Sequence, residues 1–198
     1  MKGAISMDKK REILEAAFVL FCDKGCHLSM SELAGAVGIK TPSLYSHFDN
    51  KDQILETMVT ERILHFYECL QGKMKDLSSI GCEDTMRGLY LYVLAYYGES
   101  NRLRFWRGIP FIEEETLRNT CIRLIAEKDG IFHKQMLSCF TKGIKRGEIR
   151  HDAGNASLHL YFCLMQGVLD GLLFHKDAQA GFSFPDDLFA AYWAGIRA

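Results

Sequence analysis

At 198 residues, 48% hydrophobic and 25% charged, the chain is in the range of an ordinary folded protein with room for one large core or two small ones, which excludes a disordered chain. Residues 1–10 show no leader-like apolar run, and no stretch reaches the roughly 18 consecutive apolar residues of a membrane span, because residues 160–174 are broken by Gln166 and Asp170; a cytoplasmic protein with no membrane partner is expected. Net charge is −1 and residues 1–51 hold seven Lys/Arg against six Asp/Glu, so composition gives no basic signature, and a nucleic-acid function would have to rest on where a few charges sit.

Three prolines (Pro42, Pro110, Pro185), long stretches of 3.6-residue periodicity and little apolar/polar alternation predict an all-α protein. The first helix is expected over residues 8–23, with Ile13, Leu14, Ala17, Leu20 and Phe21 on one stripe and Gly25 as a stop. Ser29-Met30-Ser31-Glu32 reads as a capping box that starts a short second helix carrying Leu33, Ala34 and Val37 inward. Gly38 follows two turns later, where a tight helix-to-helix turn needs a residue that tolerates positive φ, and Ile39 plugs the angle. Thr41 as N-cap and Pro42 as first helical residue open a third helix over residues 42–47. Its Leu44 and Phe48 face the core, leaving Thr41, Ser43, Tyr45, Ser46 and His47 to point elsewhere. Asn50 with Gln53 caps a long fourth helix whose Ile54, Leu55, Met58, Ile63, Phe66, Tyr67 and Leu70 sustain an apolar stripe. Further helices are expected over residues 83–98, 102–107, 113–145, 153–175 and 186–196, with the seam between functional parts inside a long helix rather than in a linker.

Two short helices joined by a glycine turn, the second exposing small polar groups and an aromatic, form the shape that fits the major groove of DNA. The run Arg11-Glu12-Ile13-Leu14-Glu15-Ala16-Ala17, Leu20-Phe21, Gly25, Leu33-Ala34, Val37-Gly38-Ile39, Ser43-Leu44-Tyr45-Ser46-His47-Phe48 and Lys51 resembles the TetR family of transcriptional regulators, densely and without gaps over residues 10–55. Beyond it the likeness is loose, although residues 143–152 look like the family's connection between its seventh and eighth helices. The resemblance implies a DNA-binding head over residues 1–51, with a helix-turn-helix, joined by a long helix to a helical ligand-binding and dimerisation bundle over residues 52–198.

At the positions the family uses, Tyr45 and His47 are expected against the sugar-phosphate backbone, and Lys51 adds charge at a helix start whose backbone N–H groups already attract anions. Ser29 and Ser46 complete the expected DNA-facing set, and base reading falls to Lys40, Thr41, Pro42 and Ser43. Many relatives carry Ser or Thr where this chain has Lys40, which moves the expected cap to Thr41 and adds a cation at the front of the recognition helix.

After residue 55 the family likeness implies an effector pocket, for which Phe66, Tyr96, Trp106, Phe111, Met136, Phe140, Phe162 and Met165 supply apolar and aromatic surface. An uncharged or weakly charged effector is favoured, with Arg102, Arg104 and Arg107 near Trp106 leaving room for an anion. A homodimer on the last two long helices is expected, with Gly167 and Gly171 permitting close approach and Val168, Phe174, Tyr192 and Trp193 completing the contact. A palindromic operator in double-stranded DNA and a small-molecule effector are the expected partners, with binding expected to repress until the effector releases it.

Seven scattered cysteines without a C-x-x-C pair argue against a disulfide framework or zinc site, leaving reduced, mostly buried thiols. No metal or cofactor is expected. Neither is catalysis, since no G-x-S-x-G, H-E-x-x-H, phosphate loop or dinucleotide fingerprint occurs. Two alternatives stay open: a thiol-redox-sensing regulator, and a helical binding or catalytic bundle without a DNA role.

Overall fold

The computed structural model describes residues 2–77, 80–98, 100–174 and 185–198. Among them the chain is helical: α1 (Lys2–Lys24), α2 (Met30–Val37), α3 (Thr41–Leu44), α4 (Lys51–Leu77), α5 (Cys82–Tyr97), α6 (Ser100–Gly108), α7 (Glu115–Lys145), α8 (Asn155–Phe174) and α9 (Pro185–Ile196). The sole extended pairing among the described residues is an isolated antiparallel bridge between Ile149 and Arg197. None of the described helices is long and apolar enough to cross a membrane.

Two compact units form, one from Met1–Phe66 with Arg104–Ala126, the other from Tyr67–Leu103 with Glu127–Ala198. The boundaries between these units fall inside α4, α6 and α7.

In the first unit the expected stripe of α1 is buried at Ile13, Leu14, Ala17 and Phe21, whereas Leu20 is only partly covered and Phe18 takes a place beside them. Phe105 of α6 closes this core, its ring 5.5 Å from Phe18 and 5.9 Å from Phe21, and Arg104 ties the same helix to Asp23 at 3.2 Å. Arg62 of α4 lies over the Phe18 ring at 4.2 Å and pairs with Glu15. A guanidinium that covers an aromatic face while keeping a carboxylate partner seals the core edge without stranding its charge.

The second unit is built on tyrosines, two of which donate their hydroxyls to backbone carbonyls. Tyr161, fully buried on α8, donates its hydroxyl to the Met86 carbonyl at 2.9 Å, and Tyr192 of α9 donates to the Ser157 carbonyl at 2.9 Å. Phe189 packs against Tyr90 (5.7 Å) and stacks on Trp193 (6.4 Å, 11° between planes). Such aromatic contacts, with polar tips bonded to helix carbonyls, fix the mutual rotation of α5, α8 and α9 as well as burying area.

Candidate functional site

The reading head is assembled by short-range rules. Ser29 Oγ accepts from the Glu32 N–H at 3.2 Å, and the Glu32 carboxylate accepts from the Ser29 N–H at 2.8 Å, so the predicted capping box closes in both directions. Lys24 adds an ion pair to Glu32. That bond, with the Ser29 contacts, lowers the Glu32 pKa from 4.5 to about 2. Gly38 ends α2 at φ +69°, and the Ile39 N–H returns to the Ala34 carbonyl at 3.0 Å, which closes the last turn and redirects the chain.

One prediction is corrected at the next step. The N-cap of α3 is Lys40, in extended backbone (φ −80°, ψ 145°) and without a side-chain cap, so Thr41 is the first helical residue and Pro42 the second. Lysine has no acceptor to offer a helix start, and Pro42 fixes the turn regardless, because its ring sets φ and its missing N–H needs no partner there. α3 spans only Thr41–Leu44, with Tyr45–His47 continuing as a turn in which the His47 and Phe48 N–H groups bond to the Leu44 carbonyl at 2.9 and 3.0 Å. Leu44 (0%) and Phe48 (5%) are the anchors, while Lys40, Pro42, Ser43, Tyr45 and Ser46 are exposed and Thr41 partly so.

Three expected contact residues have more specific positions than their spacing suggests. Tyr45 is 54% exposed. His47 is half-buried, and its Nδ1 is enclosed without a hydrogen-bond partner among the described residues, so that nitrogen faces the protein rather than solvent. Lys51 spends one of its three donors on the Cys26 carbonyl at 2.9 Å. The Asn50–Gln53 cap also forms with a shift: Asn50 Oδ1 accepts from the Gln53 N–H at 2.8 Å, but the Gln53 side chain reaches the Asp49 N–H (2.6 Å) rather than that of Asn50.

The residues expected around an effector divide between the units. In the first, Phe66 is buried with its ring edge-on to Trp106 at 5.1 Å, whereas Phe111 is 83% exposed. Phe111 closes a single 3-10 turn, Ile109–Phe111, whose buried member is Ile109, so its side chain lines no wall. In the second, Tyr96 is half-buried under the Arg102 guanidinium at 4.6 Å, and Met136, Phe140 and Met165 are buried. Phe162, half-buried, lies 6.2 Å from Phe132 and 5.5 Å from Tyr161.

A cleft of about 360 Å³ in the second unit has other walls: Gln71 and Met74 from α4, Thr85 from α5, and Gln135, Cys139 and Lys142 from α7 are among them. Along α7 the cleft takes residues 135, 138, 139 and 142, and the core takes Phe132, Met136 and Phe140, the two faces that a 3.6-residue period separates. Sequence reasoning missed this cleft because its lining is polar and mixed, and periodicity marks only the apolar face.

The dimer prediction is also redrawn. Val168 (4%), Tyr192 (8%) and Trp193 (5%) are buried within the chain itself, as is Gly171, and they have little surface left for a partner. The Phe174 side chain lies outside the described residues. Gly167 is exposed, one 100° step around the helix from Val168. Leu160 (57%) is exposed on the same helix, and on α9 Ala190, Ala191, Ala194 and Gly195 form an exposed small-residue face.

The family model for bacterial regulatory proteins of the tetR family matches residues 13–58, the span that builds α1 to the first turns of α4. The HTH-type transcriptional repressor KstR2 of Rhodococcus jostii is 26% identical over 148 residues, covering 73% of this chain and 69% of that protein. Among solved structures, the ketosteroid transcriptional regulator KstR2 of Mycobacterium tuberculosis is similar with a TM-score of 0.65 at 16% identity, over 96% of this chain and 95% of that one. FadR of Bacillus subtilis in complex with stearoyl-CoA is similar with a TM-score of 0.68 at 17% identity, over 94% and 99%. With the capped α2, the glycine turn and an α3 held by Leu44 and Phe48 inside the matched span, these matches support a transcriptional regulator of the TetR family.

Proposed function

We propose that this cytoplasmic regulator represses transcription by binding a palindromic operator as a homodimer, with α3 in the major groove, and that a small effector with apolar or aromatic surface releases it. One observation carries the DNA half: the residues that hold α3 (Leu44, Phe48) are buried, and those left facing outward (Lys40, Pro42, Ser43, Tyr45, Ser46) are short, polar or cationic. In this reading residues 1–51 form the reading head and residues 52–198 the sensing and dimerisation part. Tyr45 and Lys51 meet phosphate, His47 does so through Nε2 because Nδ1 is enclosed, and Ser29, the N-cap of α2, joins them. Lys40, Thr41, Pro42 and Ser43 read bases.

Two reading heads about one DNA turn, roughly 34–36 Å, apart fit a two-fold operator. The exposed Leu160, Gly167 and small-residue face of α9 supply an apolar, closely approachable surface for that pairing. Kinship supports the effector half, since KstR2 is named a repressor and FadR was captured with stearoyl-CoA. Met136, Phe140, Phe162 and Met165 offer apolar surface in the second unit. Lys142 and Arg146 at the cleft suit an acidic group on such a molecule. The effector must prefer the state that does not bind DNA; a preference of about 100-fold, worth roughly 2.7 kcal/mol, weakens operator binding appreciably.

Selection of an operator from random duplex DNA, followed by binding of T41A, S43A and Y45F, tests the first half. T41A and S43A are expected to change base preference, and Y45F to weaken all sequences alike. Wild-type behaviour of all three would remove α3 from the groove. For the second half, stearoyl-CoA is expected to raise the melting temperature and lower operator affinity; the absence of both effects, in a panel that also contains steroid ketones, would end the effector reading.

A further inference from the structure

We propose that Cys82 and Cys139 form a redox modification site, at which a hydroperoxide converts the two thiols into an intramolecular disulfide. Their sulfurs lie 3.6 Å apart, joining the first residue of α5 to the C-terminal part of α7. A disulfide needs about 2.05 Å, so the sulfurs must close by roughly 1.5 Å, a displacement that small side-chain rotations can supply. The neighbourhood permits that closure. Gly143, one turn after Cys139, presents no side chain where a Cβ would meet the Cys82 Cβ at 2.9 Å, so the two elements are already at their closest packing there.

The two thiols are unequal. Both line the cleft of about 360 Å³, but Cys139 is half-buried whereas Cys82 is only 3% exposed. Contact with Cys82 holds the Cys139 thiol below its ordinary value, helped by the Thr85 hydroxyl and by Lys142, against burial and Glu148. The same contact pushes Cys82 up, with burial and Glu148 acting in the same direction. Cys139 is therefore the attacking sulfur, reached from the cleft, and Cys82 the resolving one. By contrast, burial pushes Cys22 and Cys121 up to about 11, which keeps them as thiols.

In the first step the Cys139 thiolate attacks one oxygen of the hydroperoxide. An S–O bond forms, the O–O bond breaks, and the departing alkoxide takes a proton to leave as the alcohol, with Cys139 as the sulfenic acid. In the second, the Cys82 sulfur gives up its proton and attacks the Cys139 sulfur; the S–S bond forms, the S–O bond breaks, and the hydroxide leaves with that proton as water. Two thiols lose two electrons and the hydroperoxide gains them. The new bond closes one wall of the cleft beside the end of α4, where Thr85 Oγ1 already lies 2.9 Å from the Leu77 carbonyl.

The test uses the reduced full-length protein and a small excess of hydrogen peroxide, followed by alkylation and peptide mass spectrometry. A dithiothreitol-reversible cross-link between residues 82 and 139 is expected, forming at least 10-fold faster than oxidation of the exposed Cys163. C82S is expected to stop at a Cys139 sulfenic acid trapped by dimedone, and C139S to leave Cys82 as a thiol, with circular dichroism confirming that both variants fold. Oxidation of Cys163 while the pair stays reduced, or wild-type oxidation of Cys82 in C139S, would overturn the proposal. Because the readout involves no DNA, the operator reading is tested separately.

Discussion

The Lys51 ammonium donates to the Cys26 carbonyl at 2.9 Å, so the first residue of α4 is fastened to the turn that follows α1. Lys51→Ala is expected to act twice. It should weaken specific and non-specific DNA alike and reduce the salt slope by about 1. It should also lower stability by about 1 kcal/mol, the usual worth of such a bond. Salt-dependent binding isotherms and urea unfolding of the same variant separate the two effects; unchanged unfolding would mean that the Cys26 contact contributes nothing.

Glu32 makes head stability pH-dependent. Its folded-state pKa is held at about 2 by Lys24 and Ser29, below the ordinary value of 4.5. A depressed carboxylate contributes stability that is present above the unfolded value and lost as pH falls through the folded one. The melting temperature should therefore drop between about pH 5 and pH 2, and Glu32→Gln should flatten that drop. Parallel pH profiles of the two proteins would exclude Glu32 as a source.

Gly38 holds φ +69° with nothing within 4 Å of where a Cβ would sit, so backbone strain alone is at issue there. Gly38→Ala is expected to cost about 1 kcal/mol and Gly38→Asn less, because asparagine tolerates the left-handed region. Equal unfolding midpoints for the two variants would show that the turn relaxes instead.

Leu160→Glu tests the pairing surface. With 57% exposure the side chain carries little of the chain's own stability, so the fold should hold within about 0.5 kcal/mol. The protein should shift to monomer at micromolar concentration in analytical ultracentrifugation and lose affinity for a two-fold operator. A variant that stays dimeric would move the interface away from this face of α8.

Local signals were the legible ones. The Ser29–Glu32 box, the Gly38 turn and the buried Leu44/Phe48 pair could be read because each rests on neighbours within four residues. The third helix came out shorter, and its cap one residue earlier, because a proline near the start fixes the backbone whichever residue precedes it. What escaped depends on long-range placement. That Phe105 belongs to the α1 core, that Tyr192 and Trp193 turn inward, and that Cys82 meets Cys139 follow from which helix faces which, and periodicity within one helix cannot say.

A helix as short as Thr41–Leu44 has too few internal hydrogen bonds to persist by itself, and it keeps its shape because Leu44 and Phe48 are gripped from behind. Shape and message are thus written in different residues. The outward positions at 40, 43, 45 and 46 are exposed, and exchanging them leaves both the grip and the turn set by Pro42 untouched. If these positions read bases as proposed, the head can change the sequence it reads by a few substitutions without passing through an unfolded intermediate, which suits it both to divergence after gene duplication and to laboratory selection of new operators.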